Sequence, residues 1–183
     1  MPKPSSASPM HPNHLTQLMN RADALQQHVA SQNHGIKFAF QANELAVRKV
    51  LDDTIAALRF LDLSGEEYGT IELVLAEVMN NIVEHAYASA PDGMIELKIT
   101  PGDKGLNCEL RDEGQPMPNG VVPLGHLPAV NMGPMADICD LPEGGFGWFL
   151  IRDLAHNLEY SRQDGNNILT FRIATNHQNL HQN

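Results

Sequence analysis

No run of apolar residues in this 183-residue chain approaches the roughly 20 needed to cross a bilayer, so nothing in the sequence points to a membrane span. Basic residues are scarce: 12 Lys and Arg stand against 22 Asp and Glu, a formal net charge of −10. Neutralising a phosphate backbone takes clustered cations, so this balance argues against direct nucleic-acid binding and for a protein partner or a small ligand. Cysteine is nearly absent, with Cys108 and Cys139 alone, which gives no disulfide framework. The opening MPKPSSASPMHPNH has no apolar stretch of the kind a signal peptide needs, and the expected location is a reducing cytoplasm. The histidines, nine in all, are scattered: His11, His14, His28 and His34 lie early, His177 and His181 late, and none pairs with His or Cys at a zinc spacing. They read as solvated side chains. No internal repeat is present.

What is present has the size and the 42% hydrophobic content of one domain with extra segments. Residues 1 to about 13, rich in Pro, Ser and His, read as disordered. Leu15, Leu18, Met19, Ala22, Leu25 and Val29 recur at helical spacing and make an amphipathic helix, which packs back on the core or docks on a partner or dimer mate. Residues 1–34 are therefore set apart from a domain spanning 35–175, with a polar tail at 176–183. Within the domain IKFAF alternates as a strand, and Glu44 to Leu61 has helical period. Ser64 with Glu67 is a capping-box signature, opening a helix that should run to about Tyr87, before a Pro91-Asp92-Gly93 turn. MIELKIT and LNCELRD, joined by PGDKG, form a hairpin. Some thirty irregular residues follow Asp112, long enough to be a lid or binding loop. A short helix from Trp148 to Ala155 precedes a second hairpin, NLEYS and NILTFRIA about a DGNN turn. This order predicts a two-layer α/β sandwich of the α+β kind, a mixed and mostly antiparallel sheet covered by helices on one face.

The second long helix carries LAEVMNNIVEHAY. Ile71, Leu75, Val78, Met79, Ile82 and Ala86 gather on its core face, while Glu77 and Asn81, four apart, stand on another stripe. Asparagine is a poor helix former, so the pair Asn80-Asn81 is a local cost that asks for a compensating role. A carboxylate that takes a proton from a hydroxyl, beside an amide oxygen that is a hard ligand for magnesium, suits phosphoryl transfer. A solvated face with accidental spacing is the plainer alternative for E-x-x-x-N alone. Asp112, at a strand end with Gly114 two residues on, is placed to accept from an exocyclic amine such as that of adenine, or is a plain D-x-G turn. In GGFGWFLI, glycines precede a helix start, where backbone amides suit a phosphate; a flexible loop before a core helix is the alternative.

These stretches, in this order, resemble the N, G1 and G2 boxes of the GHKL ATPases, which share the Bergerat fold, and within them the stand-alone anti-sigma-factor serine/threonine kinases. E-x-x-x-N followed by EHAY, D-x-G-x-P after the hairpin, and LPEGGFGWFLI carry the resemblance. It implies Glu77 as general base, Asn81 as magnesium ligand, Asp112 on the adenine amine and Gly114 lining the base pocket. Gly145 and Gly147 would contact the phosphates, with Asn119 to Glu143 as the ATP lid. The implied nucleotide contacts extend to His85, Met117, Phe146 and Asn167. ATP and Mg2+ are the implied cofactors, a sigma factor and a STAS-domain antagonist the implied partners, in a homodimer or a monomer. Two positions depart from the family: Trp148 replaces a smaller aliphatic residue, and Asn166 or Asn167 stands in for a threonine of the last strand. Two other readings compete with a kinase that regulates transcription in this way. One is a non-catalytic ATP-responsive binding module, the other the ATPase module of a larger signalling system. No role is derived for Asn80.

Overall fold

The computed structural model describes residues 35–88, 93–125 and 146–176. The expected N-terminal helix, the Pro91-Asp92 part of the turn, most of the lid, Gly145, Cys139 and the end of the tail lie outside the described residues.

Strand β1 (Ile36–Gln41) leads through Asn43, whose side chain accepts from the Ala46 amide, into helix α1 (Glu44–Ala57). The asparagine satisfies one of the amides a helix start leaves bare. The sequence expectation of one helix to Leu61 is met in two parts, because Leu58–Leu61 tightens into a 3-10 turn that ends at Asp62 in the left-handed region (φ 50°). Helix α2 (Gly65–Asn81) begins with the full capping box: the Glu67 amide donates to Ser64 Oγ at 3.2 Å, and the Ser64 amide donates to Glu67 Oε2 at 2.8 Å. The helix does not run on unchanged to Tyr87. Over Ile82–Ala86 it widens into a π-helical turn, closed by the Tyr87 amide on the Ile82 carbonyl.

Strands β2 (Met94–Gly102) and β3 (Gly105–Asp112) form the first hairpin. Helix α3 (Phe146–Leu154) starts two residues earlier than its sequence pattern indicated and passes directly into β4 (Ala155–Gln163), which hairpins into β5 (Asn166–Ile173). The sheet order is β1-β2-β3-β5-β4, and every pairing among the described residues is antiparallel, so the expected mixed character resolves to a purely antiparallel sheet.

One sheet face carries the core. Phe40, Ile95, Leu97, Ile99, Leu106, Leu110, Leu169, Phe171 and Ile173 point inward at alternate positions, as a strand's period of 2 requires. Against them pack Val47 and Val50 of α1, Ile71, Val74, Leu75, Val78 and Met79 of α2, and Trp148 and Ile151 of α3. Each fully buried aliphatic side chain here contributes about 1.5–3 kcal/mol relative to exposure. The facing helix α2 is held by both its neighbours, α1 and α3. The other sheet face is polar, with Glu96, Lys98 and Arg111 exposed. No helix among the described residues is long and apolar enough to cross a membrane.

Candidate functional site

The C-terminal half of α2 carries the expected pair. Glu77 and Asn81 are both half-buried, one turn apart, at the border of the apolar face. Helix α3 crosses at this level. Gly147, in its first turn, lies so close that a Cβ there would collide with Glu77 Oε2 and come to 3.4 Å from Asn81 Nδ2. A side chain at 147 would thus occupy the space in front of the carboxylate and amide. The structure brings Glu77, Asn81 and Gly147 together, with the bare amides of the α3 N-terminus beside them.

Asn81 Nδ2 is buried and has no hydrogen-bond partner among the described residues. Burying an amide donor unpaired costs roughly 1–3 kcal/mol, so Nδ2 calls for a partner that accepts. An NH2 group cannot ligate a cation: Nδ2 suits a phosphate oxygen, and the magnesium role the sequence implied falls to Oδ1 of the same amide. Asn80 is half-buried and takes part in none of these contacts.

The second part of the site sits where β3 ends. Asp112 is only 6% exposed and lies opposite Asn167 in the β3–β5 register. Its Oδ1 accepts from Asn167 Nδ2 at 2.8 Å and from the Gly114 amide at 2.9 Å. Burial pushes the Asp112 carboxyl above the usual aspartate range, opposed by the Asn167 and Gly114 hydrogen bonds and by the Arg162 charge. Of the two candidates for the missing threonine, Asn167 is the buried one at 4% exposure, whereas Asn166 turns to the Asp164 carbonyl.

Gly114 is required by a close approach. A Cβ there would stand 2.6 Å from the Ala86 carbonyl oxygen and 2.7 Å from the Ala86 Cβ, and the next residue, Gln115, donates its amide to that same carbonyl at 2.8 Å. The loop leaving Asp112 is therefore seated on the end of the π-helical turn. Tyr87 fastens the same junction: its hydroxyl donates to the Met94 carbonyl at 2.9 Å and accepts from the Glu113 amide at 2.8 Å. Burial raises the pKa of that phenol, with the Glu113 amide acting the other way. Nine helical steps lead from Glu77 to Ala86, on the order of 13 Å along the axis, so α2 and its π-helical turn link a polar pair at one level to a buried carboxylate at another.

The remaining expected contacts are placed less centrally. Met117 packs against the core edge and Phe146 is 46% exposed at the start of α3. His85 is exposed on the π-helical turn. Trp148, one of the two departures from the family pattern, is a core residue at 9% exposure. The start of the segment expected to be the lid is tied to α3, with Arg152 donating to the Pro123 carbonyl at 2.7 Å and the Val122 carbonyl at 2.8 Å. Two residues of the Asp112 surroundings escaped the sequence reading: Tyr160 and Arg162 of β4 both reach Asn167 Oδ1. The signal for Arg162 lay in the turn, since an Asp-Gly pair makes a two-residue hairpin that sets Arg162 opposite Asn167. A shallow concavity on the open sheet face, walled by Lys98, Thr100, Asn107, Glu109 and Arg172, lies apart from all these groups.

Comparison with known proteins bears on the family and the fold. The chain is 29% identical over 103 residues to the serine/threonine-protein kinase BtrW of Bordetella bronchiseptica, covering 55% of this chain and 66% of that one. A crystal structure of the RsbU and RsbW domains of a Mycobacterium tuberculosis protein superposes with a TM-score of 0.51 at 15% identity, covering 77% of this chain and 32% of the other. This chain thus spans less than two thirds of the length of either relative. The structural likeness establishes the shared fold, the Bergerat arrangement of helices on one face of an antiparallel sheet. A family model, the histidine kinase-like ATPase domain, matches residues 40–173, well over half of the chain, and the protein belongs to that family.

Proposed function

We propose that the protein is an ATP-dependent protein serine kinase that works as a regulatory switch, binding a sigma factor in one state and phosphorylating a serine of a STAS-domain antagonist in the other. The observation that carries the catalytic part is the meeting of Glu77, Asn81 and Gly147 at the α3 N-terminus. A pure binding module has no use for a carboxylate at that point, and the relative from Bordetella bears the name of a serine/threonine kinase.

Each residue then has a task. Glu77 accepts the proton of the attacking serine hydroxyl, which makes the oxygen a better nucleophile as the bond to phosphorus forms. Asn81, through Oδ1, would hold Mg2+, which would supply positive charge against the phosphate oxygens. The amides of the α3 start, with Gly147 and Gly145, receive phosphate oxygens. Asp112 accepts from the adenine amine, and the loop from Gly114 to Met117 backs the base.

Incubation with radiolabelled ATP and candidate STAS proteins tests the reading. Label on a partner serine, lost when Asn81→Ala removes magnesium-dependent ATP binding, is the expected result. Tight nucleotide-dependent partner binding with no label on any partner would replace the kinase by a non-catalytic module.

A further inference from the structure

The Asp112 carboxylate is served by a side chain whose orientation is itself fixed from outside. Asn167 Oδ1 accepts from the Tyr160 hydroxyl at 2.7 Å and from Arg162 Nη1 at 2.6 Å. Its Nδ2 faces only acceptors: Asp112 Oδ1 at 2.8 Å, the Gln115 carbonyl at 3.1 Å and the Gly114 carbonyl at 3.3 Å. An amide can exchange its oxygen and nitrogen by a half-turn. Here that half-turn would set an oxygen against three acceptors and an NH2 group against a guanidinium, which has no acceptor to offer. Tyr160 is committed too, because its oxygen already accepts from the Met117 amide at 3.2 Å. Arg162 also donates to the Gly114 carbonyl at 3.0 Å, so one edge strand holds both the asparagine and the loop beside it.

With Asn167 so held, Asp112 Oδ1 is filled by two donors, and Oδ2 accepts from none of the described residues. The free oxygen of an ionised carboxylate can only accept. It matches an exocyclic amine and repels a carbonyl oxygen at the same place on a purine.

We propose that Tyr160 and Arg162 are positioning residues that lock the Asn167 amide, and through it make Asp112 an acceptor-only group that selects an aminopurine over an oxopurine nucleotide. This rests on the nucleotide reading of the site. If the lock is removed, Asn167 can turn its oxygen toward Asp112. Losing the Nδ2 donor and gaining a facing oxygen both disfavour the ionised carboxylate, and a proton taken up on Oδ2, the oxygen turned to the ligand, then donates to a purine carbonyl. The charged or titratable groups around Asp112 are Arg162 and Tyr160 on β4, Tyr87 at the end of α2 and Glu113 beside it in the chain. Of these only Arg162 carries a positive charge, so the test must keep that charge separate from the lock.

The experiment measures ATP and GTP dissociation constants from pH 5 to 8 for the full chain, Tyr160→Phe/Arg162→Met and Tyr160→Phe/Arg162→Lys. In the Met double variant the preference for ATP over GTP should fall about tenfold or more, the scale of one buried hydrogen bond, and the acid loss of ATP binding should move to higher pH. The Lys variant keeps a donor and the charge, and should retain most of the preference. Equal weakening of both nucleotides with an unchanged ratio would overturn the lock and leave an ordinary packing role. Should the Met double variant fail to fold, Arg162→Met alone must still lower the ratio severalfold while Arg162→Lys alone keeps it, or the inference fails. A wild-type chain that binds neither nucleotide would instead sink the nucleotide reading itself.

Discussion

Replacing Gly147 by alanine separates two effects that usually travel together. The position lies in the first turn of α3, where alanine is a better helix former than glycine by about 0.5–1 kcal/mol. The atoms a Cβ meets first are the free ends of side chains, Glu77 Oε2 and then Asn81 Nδ2 at 3.4 Å, rather than backbone. The fold can therefore accept the methyl by moving Glu77, and the apparent melting temperature should stay level or rise by up to about 4 °C. The carboxylate must withdraw by about 1 Å to regain ordinary contact distance. A misplacement of that size in a catalytic group can lower a rate about 100-fold. Thermal unfolding by circular dichroism and single-turnover transfer of labelled phosphate, run on the same preparation of Gly147→Ala, read both quantities. Transfer down by at least about tenfold with unimpaired stability is expected. Wild-type transfer, or a melting temperature several degrees lower, would mean that Glu77 does not stand in the space before Gly147 as a working group.

Two further outcomes follow from buried polar groups. Because Asp112 is raised by burial in the folded protein, there is a window above the unfolded value of about 3.9 in which the native state holds a proton that the unfolded state has lost. Stability should fall as pH rises through that window and reach its plateau above it, and Asp112→Asn should remove this slope in urea titrations at pH 4–7. The same titration makes ATP affinity weaken on the acid side at a pH above the ordinary aspartate range. Thr54 Oγ1 is fully buried in α1 without a partner among the described residues, so Thr54→Val, which keeps the branched shape, should leave stability unchanged or raise it by about 1–2 kcal/mol in chemical denaturation.

The helices and strands were legible because their signals are local. Ser64 and Glu67 are three residues apart and announce the α2 start, and the alternation of MIELKIT faithfully sorts Ile95, Leu97 and Ile99 to the core. The site was legible only in part. Glu77 and Asn81 share a helix stripe, so their proximity follows from a period, whereas the approach of Gly147 to Glu77 depends on how α3 crosses α2, which no spacing encodes. Val74, wholly buried, belongs to the same stripe, three residues after Ile71 and four before Val78, and was left off the core face although the period places it there. The π-helical turn was also invisible: nothing in IVEHA distinguishes a widened turn, which is settled by the Gly114–Gln115 loop lodging on Ala86. Reading DGNN as a four-residue turn hid the register, and with it the placing of Arg162 against Asn167; Asp164 and Gly165, both at positive φ (50° and 86°), make the turn alone.

Chemistry at Glu77 is the central claim, and the isosteric variant Glu77→Gln addresses it with little change of shape. The decisive measurement is the single-turnover rate of phosphate transfer from ATP to a partner serine, taken beside the ATP dissociation constant of the same variant. Loss of a general base predicts a rate lower by about 100-fold or more with nucleotide affinity within a few-fold of wild type. Transfer at the wild-type rate would contradict the assignment, leaving the carboxylate beside Gly147 without a part in the reaction.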